Sequence, residues 1–490
     1  MKIAVIGMGY VGLTTAVTLA HIGHEMYCVE IDHEKLECLK RGECPIYEEY
    51  VDALLRHNHK AGRLRYTSDM SDAVLKADVA FIAIGTPLMG QWGADLSQIR
   101  AAMKGIAALL KEHPDKHLII VMKSTVPTRT CDAMTATILE IAPDAKFDLV
   151  SNPEFLREGT GVFDTLYPDR IVIGARSKDA ADKVERIFRP IIEGDIPNIE
   201  LCPPPPRNFT YPIPVVRTDP HSSELIKYAA NAFLATKISF INEIANLAEK
   251  TGADIEDIAR GIGLDKRIGP QFLRAGIGYG GSCFPKDTAA LTYQAETFGY
   301  TFKLLNAVIE VNQRQRIRFL YKIMERFGYL DGRCIGFLGL SFKPGTDDVR
   351  DSPGLELMQY AEAAGAEVRA HDPVAIDNAR KIFDHQQSSD SAGSPCSFGS
   401  PGSPVSRGLP DLHGLPQSHI KPVYFADPYE MADGCDCLAI VTDWPQFRTL
   451  DWPRIKRLLK EPIIFDGRNM FSVDEMKSMG FEYHCIGRGE

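Results

Sequence analysis

Short apolar runs of strand length alternate with amphipathic stretches of helix length from residue 1 to about residue 200. Runs that are apolar at every position, such as 79–84, are typical of strands that are covered on both faces. Because parallel strands are joined by crossover helices, this alternation predicts an α/β domain with a parallel sheet. The predicted strands are 2–6, 25–31, 79–84, 118–122, 147–151 and 170–174.

The alternation of strands and helices stops at about residue 200 and resumes at about residue 333. Residues 202–214 contain six prolines and predict a loop, since proline fits neither a helix interior nor a central strand. The following stretch is helical, and Asp219, Ser222 or Ser223 is predicted to cap a long helix that ends near Thr251. Further strands are predicted at 333–339, 366–371, 422–425, 437–442 and 462–466.

The pattern predicts three domains: an N-terminal α/β domain at 1–215, a central helical domain at 216–328 and a C-terminal α/β domain at 329–490. Two similar α/β domains joined by a helical segment would form a cleft between them. Residues 386–418 are rich in Ser, Gly and Pro and are predicted to be a disordered surface insertion in the third domain.

Composition excludes several classes of protein. The formal net charge of -10 disfavours nucleic acid and anionic membranes, which an acidic chain repels. No apolar stretch approaches the ~18–20 residues that span a bilayer, and residues 1–6 are predicted to form a strand rather than a signal peptide. The 11 cysteines lack paired metal-ligand spacing, so they predict free thiols in a reducing cytoplasm and no metal site.

A glycine motif follows the first predicted strand and opens a helix. The sequence Gly-Met-Gly-Tyr-Val-Gly at 7–12 has the spacing G-x-G-x-x-G. Gly7 allows the tight turn, Gly9 lets the backbone approach a pyrophosphate, and Gly12 lets the helix pack closely. Glu30 ends the second strand, where its carboxylate accepts ribose hydroxyls and repels a 2′-phosphate, so NAD is preferred to NADP. A chance glycine turn is the alternative, but it does not explain this context.

Four glycines precede a cysteine within the segment 276–287. A backbone so rich in glycine predicts a loop that wraps closely around a ligand, and Cys283 within it is not a core side chain. Lys286 is placed to favour the thiolate, and Asp287 is placed to orient or activate water. The alternative is a phosphate-binding loop in which the cysteine is incidental.

Together these segments resemble the UDP-glucose/GDP-mannose dehydrogenase family. The resemblance covers nearly the whole chain, apart from 202–214 and 386–418. Glu30 stands where the family usually has aspartate, and the longer acid can make the same ribose contact. Around the cysteine, the sequence at 267–281 is similar to that of members that use UDP-glucose. The other motifs are Gly-Thr-Pro at 85–87, Ser-Thr-Val-Pro at 124–127, Asn-Pro-Glu-Phe-Leu-Arg-Glu-Gly at 152–159, Glu-Leu-Ile-Lys-Tyr-Ala-Ala-Asn at 224–231 and Phe-Lys-Pro-Gly-Thr-Asp-Asp-Val-Arg-Asp-Ser-Pro at 342–353.

The resemblance implies an N-terminal Rossmann-type NAD domain, a central helical dimerisation segment and a C-terminal Rossmann-like nucleotide-sugar domain. It implies oxidation of UDP-glucose to UDP-glucuronate by a homodimer or higher homo-oligomer, with two NAD reduced per sugar. Cys283 would attack the aldehyde left by the first hydride transfer, and the thiohemiacetal would become a thioester that water hydrolyses. The covalent adduct would keep the aldehyde from escaping.

Two pairs of polar residues are spaced by four in these motifs. Lys227 and Asn231 share one face of the predicted long helix, where both can donate to a developing oxyanion. Apolar neighbours predict that Lys227 is buried, and an unpaired buried ammonium is costly, which favours a function over a solvated cation. Glu154 and Glu158 follow an Asn-Pro dipeptide, which disfavours a surface pair at a helix start.

The resemblance assigns the site residues position by position. The catalytic set is Cys283, Lys227, Asn231, Asp287, Glu154 and Thr125. The NAD set is Gly7, Gly9, Val11, Gly12, Glu30, Lys35, Thr86, Thr125, Glu158, Lys286 and Arg350. The substrate set is Glu154, Phe155, Leu156, Arg157, Glu158, Lys227, Asn231, Phe272, Leu273, Arg274, Gly276, Gly280 and Lys343.

Three alternatives stay open from the sequence. The same chemistry could act on another nucleotide sugar, such as GDP-mannose. A 3-hydroxyacid dehydrogenase built on a related Rossmann-plus-helices plan would transfer only two electrons, and it would need neither the cysteine nor a third α/β domain. An NAD-binding protein without activity is disfavoured by the complete catalytic set.

Overall fold

The computed structural model describes residues 1–89, 93–389 and 422–488. The chain divides into two compact units, Met1–Ala230 and Asn231–Glu490. Each unit contains one large sheet of its own.

The first unit contains ten strands, eight complete helices and the start of a ninth among its described residues. The strands are β1 (Lys2–Ile6), β2 (Glu25–Val29), β3 (Leu64–Thr67), β4 (Val79–Ile82), β5 (Leu88–Met89), β6 (Gly93–Ala94), β7 (His117–Met122), β8 (Lys146–Ser151), β9 (Ile171–Ala175) and β10 (Val215–Thr218). The helices are α1 (Tyr10–His21), α2 (His33–Lys40), α3 (Val51–Lys60), α4 (Met70–Lys76), α5 (Ser97–Glu112), α6 (Thr130–Ile141), α7 (Gly161–Leu166) and α8 (Lys178–Glu193), with a 3₁₀ turn at Ile199–Leu201.

Eight of these strands form one sheet in the order β10-β9-β8-β7-β4-β1-β2-β3, and β5 pairs with β6 in a separate hairpin. The central strand β4 is buried at every position. One apolar core lies under α1, α3, α7 and α8, and another lies under α4, α5 and α6. The predicted sheet with helices on both faces is therefore confirmed.

Two strands at one edge of the sheet depart from the predicted parallel arrangement. β9 runs antiparallel to β8, and β10 then pairs in parallel with β9. β9 and β10 therefore run opposite to the other six strands of this sheet.

A helix of 32 residues, α9 (Pro220–Thr251), contains the boundary between the two units. Of the three predicted caps, Asp219 is the one that acts, because its Oδ1 accepts a hydrogen bond from the Ser222 backbone N–H at 3.0 Å. Gly252, at φ +73°, follows the last helical residue in the left-handed conformation that commonly ends helices. The predicted start and end of the long helix are both confirmed.

The second unit has a six-stranded sheet in which all pairs are parallel. Its strands are β11 (Cys334–Leu338), β12 (Glu367–His371), β13 (Val423–Tyr424), β14 (Cys437–Ile440), β15 (Ile463–Asp466) and β16 (Glu482–His484), in the order β13-β12-β11-β14-β15-β16. After α9, the helices are α10 (Ile255–Gly263), α11 (Phe284–Thr297), α12 (Lys303–Phe327), α13 (Pro353–Ala363), α14 (Ile376–Ser389), α15 (Pro428–Ala432), α16 (Pro445–Arg448), α17 (Trp452–Leu458) and α18 (Val473–Ser478).

The two sequence insertions have different outcomes. Residues 202–214 form neither a helix nor a strand of the sheet, as predicted. The predicted insertion at 386–418 begins inside a helix, because α14 continues to Ser389. Residues 386–389 are therefore helical rather than disordered, and 390–418 lie outside the described residues.

Two further expectations concern the whole chain. The domain limits at 1–215, 216–328 and 329–490 stay predictions, and β10 continues past the first of them. Within the part of the chain that the structure describes, no helix is long and apolar enough to cross a membrane.

Candidate active site

The first glycine motif forms the turn between β1 and α1. Gly7 has φ +96°, and a Cβ added at Gly12 would overlap the Gly7 carbonyl, so the turn and the helix pack too closely for any other residue. A Cβ at Gly9 would meet no described atom within 4 Å. Gly9 is the N-cap of α1, and no described side chain caps it. The start of α1, with Val11 in its first turn, is therefore open to an anion such as a pyrophosphate.

Glu30 lies just after β2 and holds the loops around the glycine turn. Its Oε2 accepts a hydrogen bond from Met8 N at 3.1 Å, and its Oε1 accepts from Ile31 N at 2.8 Å and from Asp32 N at 3.0 Å. The buried carboxylate is thus fixed beside the turn, and its remaining lone pairs can accept ribose hydroxyls. Lys35 is half-exposed, and its Nζ lies 4.0 Å from Asp32 Oδ2.

Thr86 and Thr125 follow the adjacent strands β4 and β7, and a hydrogen bond joins them. Thr86 Oγ1 donates to the Thr125 carbonyl at 2.9 Å. Ser124 Oγ donates to the Ile84 carbonyl at 2.6 Å. These bonds fix two loops at the carboxyl edge of the sheet, which is where open α/β sheets bind ligands.

Lys227 and Glu154 form a buried ion pair. Lys227 Nζ lies 3.0 Å from Glu154 Oε1, and the two side chains are 4% and 7% exposed. Glu154 Oε2 also accepts a hydrogen bond from Leu156 N at 2.7 Å. Lys227 is buried as predicted, and the loop after β8 brings it a carboxylate partner, which the sequence analysis did not foresee.

A second buried lysine near this pair was missed by the sequence prediction. Lys123 directly follows β7 and is 9% exposed, and its Nζ donates to Asn152 Oδ1 at 3.1 Å. Burial lowers the pKa of Lys123 to about 8, although Glu154 raises it. Lys123 and Glu154 both line a cavity of about 290 Å³. The missed signal was a cation placed immediately after the apolar run 118–122.

The segment 152–159 is a loop rather than the start of a helix. Glu158 is buried, and Phe155 and Leu156 are half-buried. Arg157 is exposed, and its Nη2 lies 2.7 Å from an aspartate of α7. The two predicted acids are therefore buried, whereas Arg157 already has a carboxylate partner.

In the second unit, Cys283 occupies the N-cap position of α11. Its side chain is partly exposed, and Ser282 Oγ lies 3.5 Å from its sulfur. The positive end of the helix dipole stabilises negative charge at this position. A partly exposed sulfur at a helix N-terminus has the setting of a nucleophilic thiolate.

Asp287 lies one helical turn after Cys283 and is 1% exposed. Its Oδ2 accepts a hydrogen bond from Asn231 Nδ2 at 2.6 Å, and its Oδ1 pairs with Lys286 Nζ. Asn231 therefore fixes this carboxylate, and its amide has a second N–H that can donate to an oxyanion. The Lys286 ammonium, predicted to favour the Cys283 thiolate and to bind NAD, contacts Asp287.

Close protein contacts explain the glycines of the cysteine loop (residues 276–283). A Cβ at Gly276 would lie 2.8 Å from the Gly467 carbonyl, and one at Gly278 would lie 2.5 Å from Asn312 Oδ1. A Cβ at Gly280 would overlap a neighbouring carbonyl. The glycines therefore let other segments of the protein approach, which accounts for them without a flexible loop that wraps around a ligand.

The residues before the cysteine loop lie against it and against the C-terminal part of the chain. Phe272 has φ +64°, and its ring centroid lies 6.1 Å from that of Phe284. Leu273 is buried. Arg274 Nη1 donates to Asp443 Oδ2 at 2.7 Å, so this predicted substrate residue already has a carboxylate partner.

Lys343 and Arg350 lie in the loop between β11 and α13. Lys343 Nζ lies 5.4 Å from the centroid of the Phe342 ring. Arg350 is half-exposed, and its guanidinium donates to both carboxylate oxygens of Asp348, with Nη2 2.7 Å from Oδ2. For Arg350 to contact NAD, its ion pair with Asp348 would have to break, or its guanidinium would have to donate to both partners.

The described residues contain no candidate metal site. Within 1–89, 93–389 and 422–488, no group of three or more His, Cys, Asp or Glu side chains is placed to hold a metal ion.

Three family models match consecutive parts of the chain. Residues 1–192 match the NAD binding domain of the UDP-glucose/GDP-mannose dehydrogenase family, residues 221–314 match its central domain, and residues 336–473 match its UDP binding domain.

Similar proteins cover the chain from end to end. The chain is 42% identical over 489 residues to UDP-glucose 6-dehydrogenase TuaD of Bacillus subtilis (strain 168), covering 99% of this chain and 93% of that protein. It is 42% identical over 492 residues to a UDP-glucose 6-dehydrogenase of Rhizobium meliloti (strain 1021), covering 100% of both. A solved UDP-glucose dehydrogenase from the hyperthermophilic archaeon Pyrobaculum islandicum has a TM-score of 0.81 at 33% identity, covering 98% of this chain and 96% of that one. The chain therefore belongs to the UDP-glucose/GDP-mannose dehydrogenase family, as the sequence motifs implied.

Proposed function

We propose that the protein is an NAD-dependent UDP-glucose 6-dehydrogenase that oxidises UDP-glucose to UDP-glucuronate. The observation that carries this proposal is Cys283 at the start of α11, one turn before a buried Asp287 that Asn231 holds. Identity of 42% over the full chain with relatives named for this activity supports the choice of substrate.

The residues around the first glycine turn fit NAD. Gly9 and the open start of α1 would hold its pyrophosphate, and Glu30 would accept hydrogen bonds from a ribose. NAD, when bound, accepts a hydride in each of the two oxidations. The Glu30 carboxylate would repel the additional phosphate of NADP.

In the proposed mechanism, Cys283 forms a bond from its sulfur to the carbonyl carbon of the aldehyde that the first oxidation leaves. The carbonyl oxygen becomes an oxyanion, to which Lys227 and Asn231 donate hydrogen bonds. The second oxidation turns this adduct into a thioester. Asp287 or Glu154 then directs water to the thioester carbon, and cleavage of the carbon–sulfur bond releases the carboxylate and regenerates the cysteine.

An assay with purified protein, NAD and either UDP-glucose or GDP-mannose tests the proposal. We expect UDP-glucuronate, with two NADH formed for each molecule. A clear preference for GDP-mannose would overturn the choice of substrate. One NADH per product would favour a two-electron dehydrogenase, and no turnover of either sugar would favour an NAD-binding protein without activity.

Gly9→Ala is expected to weaken NAD binding without harming the fold. The added Cβ meets no described atom of the protein within 4 Å, but it occupies the space through which the pyrophosphate would approach. We expect the KM for NAD to rise about tenfold or more, which corresponds to the loss of one or two hydrogen bonds. Gly261→Ala, at a glycine of α10 that also has no described neighbour within 4 Å of an added Cβ, is the matched control. An unchanged KM in Gly9→Ala would contradict the predicted NAD site.

We also propose that α9 joins two copies of the chain. Phe233, Phe240 and Leu247 are 67%, 52% and 57% exposed, and their spacing of seven residues places them on one face of the helix. A row of exposed apolar side chains on a helix is typical of an interface. A second copy offers the same row, so a two-fold symmetric dimer would cover both.

The double variant Phe233→Glu/Phe240→Glu is expected to shift the protein from dimer to monomer. Two carboxylates placed on this face would face two more across the symmetric interface and repel them. Light scattering after size-exclusion chromatography measures the mass. Leu139→Glu, at a 41% exposed leucine of α6, is the control and should stay dimeric. A dimer that persists in the double variant would rule out this interface.

We place the protein in the cytoplasm. All ten cysteines of the described residues are free thiols. Free cysteines are typical of proteins in a compartment that keeps thiols reduced.

A further inference from the structure

We propose that Asn312 and Arg316 of α12 are positioning residues that hold Cys283 in place through the backbone of Tyr279. This inference rests on the proposed function, because it assigns the two residues to the covalent step. Asn312 Oδ1 accepts a hydrogen bond from Tyr279 N at 2.8 Å, and Asn312 Nδ2 donates to Tyr279 O at 3.0 Å. The side-chain amide therefore pairs with Tyr279 as a neighbouring strand would, and it fixes the peptide groups on both sides of this residue.

Arg316 supplies a charged donor to the same carbonyl. Its Nη2 donates to Tyr279 O at 2.8 Å, and its Nη1 forms an ion pair with Glu356 of α13. Asn312 and Arg316 are four residues apart on α12, and they are 5% and 8% exposed. Because water is excluded from these bonds, they strongly favour one backbone conformation of the cysteine loop.

Tyr279 transmits this constraint to the start of α11. Its side chain is 7% exposed, and its ring meets the Phe284 ring edge-on, with centroids 5.7 Å apart and an angle of 89° between the planes. Phe284 is the first residue of α11 and directly follows Cys283. Burial raises the pKa of the Tyr279 hydroxyl to about 12, although its hydrogen bond with Thr288 of α11 lowers it. Tyr279 therefore contacts two residues of the helix whose N-cap is the nucleophile.

Other anchors hold the cysteine loop before Tyr279. Gly276 N donates to Asn242 Oδ1 at 2.8 Å, and Arg468 Nη1 donates to the Gly278 carbonyl at 3.1 Å. At Tyr279 both the N–H and the C=O group are bound by side chains from one face of α12. A substitution on this face of α12 would therefore shift the cysteine loop and would leave every proposed catalytic side chain in place.

Two variants separate the contributions of the positioning residues. Asn312→Ala removes both amide hydrogen bonds, and Arg316→Lys keeps a cation for Glu356 but withdraws the donor to Tyr279. The first readout is oxidation of the 6-aldehyde of UDP-glucose, which requires Cys283, compared with single-turnover hydride transfer from UDP-glucose, which does not. The second is the rate at which iodoacetamide alkylates Cys283 as a function of pH, followed by mass spectrometry of the cysteine peptide.

We expect aldehyde oxidation to slow by about 10- to 100-fold in Asn312→Ala, because the sulfur loses its alignment with the carbonyl carbon. The KM for NAD and the rate of the first hydride transfer should stay within about twofold of the wild-type values. The pH dependence of the alkylation rate of Cys283 should differ from that of the wild type. Gln315→Ala is the matched control. This buried amide lies on the same helix, but its Oε1 accepts a hydrogen bond from Asn246 of α9 rather than from the cysteine loop.

Wild-type rates of both aldehyde oxidation and alkylation in Asn312→Ala would overturn the proposal. Equal slowing in Gln315→Ala would also overturn it, since general loosening of α12 would then explain the effect. If Asn312→Ala does not fold, Arg316→Lys decides by the same two readouts. A wild-type protein that oxidises neither UDP-glucose nor its aldehyde would refute the proposed function instead, and the alkylation comparison would still test the positioning role.

Discussion

Cys283→Ala is expected to abolish the formation of UDP-glucuronate and to lower kcat by about a thousandfold or more, because the variant has no nucleophile for the aldehyde. NAD and UDP-glucose should still bind. The cysteine is partly exposed at the start of α11, so alanine removes a small side chain from the helix end and leaves no cavity in a core. NADH formation and calorimetric titration with each ligand measure the two effects.

Cys38→Ala is the control for this substitution. Cys38 is also partly exposed, but it lies on α2, far along the chain from the cysteine loop. Normal turnover in Cys38→Ala would show that the loss is specific to Cys283. Normal production of the acid by Cys283→Ala would exclude the covalent mechanism.

Lys227→Met is expected to lose both stability and activity. The substitution leaves the Glu154 carboxylate buried without the ammonium that lies 3.0 Å away in the native protein. Loss of one partner of a buried ion pair costs about 3–5 kcal/mol in the free energy of unfolding. Loss of a donor to the oxyanion lowers kcat by about 100-fold or more. Denaturant titration and steady-state kinetics measure the two losses separately.

A double variant tests whether the lost stability comes from the Glu154 carboxylate that is left without its partner. Adding Glu154→Gln removes the stranded charge, so most of the lost stability should return while kcat stays low. Lys250→Met, at the exposed last turn of the same helix, should change the free energy of unfolding by less than about 0.5 kcal/mol. Recovery of activity in the double variant would contradict a catalytic role for Lys227.

The elements that were predicted well share one property, which is an unbroken apolar run. The runs at 79–84 and 118–122 correspond to β4 and β7, within two residues at each end. Strands β3, β10 and β16 were not predicted, because most of their few residues are exposed or only partly buried and give no continuous apolar run. The direction of β9 was predicted wrongly, because the alternation of strands and helices along the chain does not show from which end a strand enters the sheet.

In the candidate site too, features that depend on neighbouring residues in the chain were predicted, and features that depend on the fold were not. The motifs located the glycine turn, the cysteine proposed as the nucleophile and the lysine of α9, because each motif consists of neighbours in the chain. The motifs did not show that Asn231 binds Asp287, which lies 56 residues further on. They also did not show that Lys123 is buried near Glu154, because burial depends on helices from other parts of the sequence.

The sequence by itself determined most of the buried strands, the glycine turn after β1 and the cysteine that we propose as the nucleophile, since periodicity and spacing along the chain carry that information. Only the tertiary structure decided that Glu154 neutralises Lys227 and that α12 holds the cysteine loop. The physical reason is that hydrogen bonds and ion pairs act over a few ångströms, and these partners come that close only when the chain has folded.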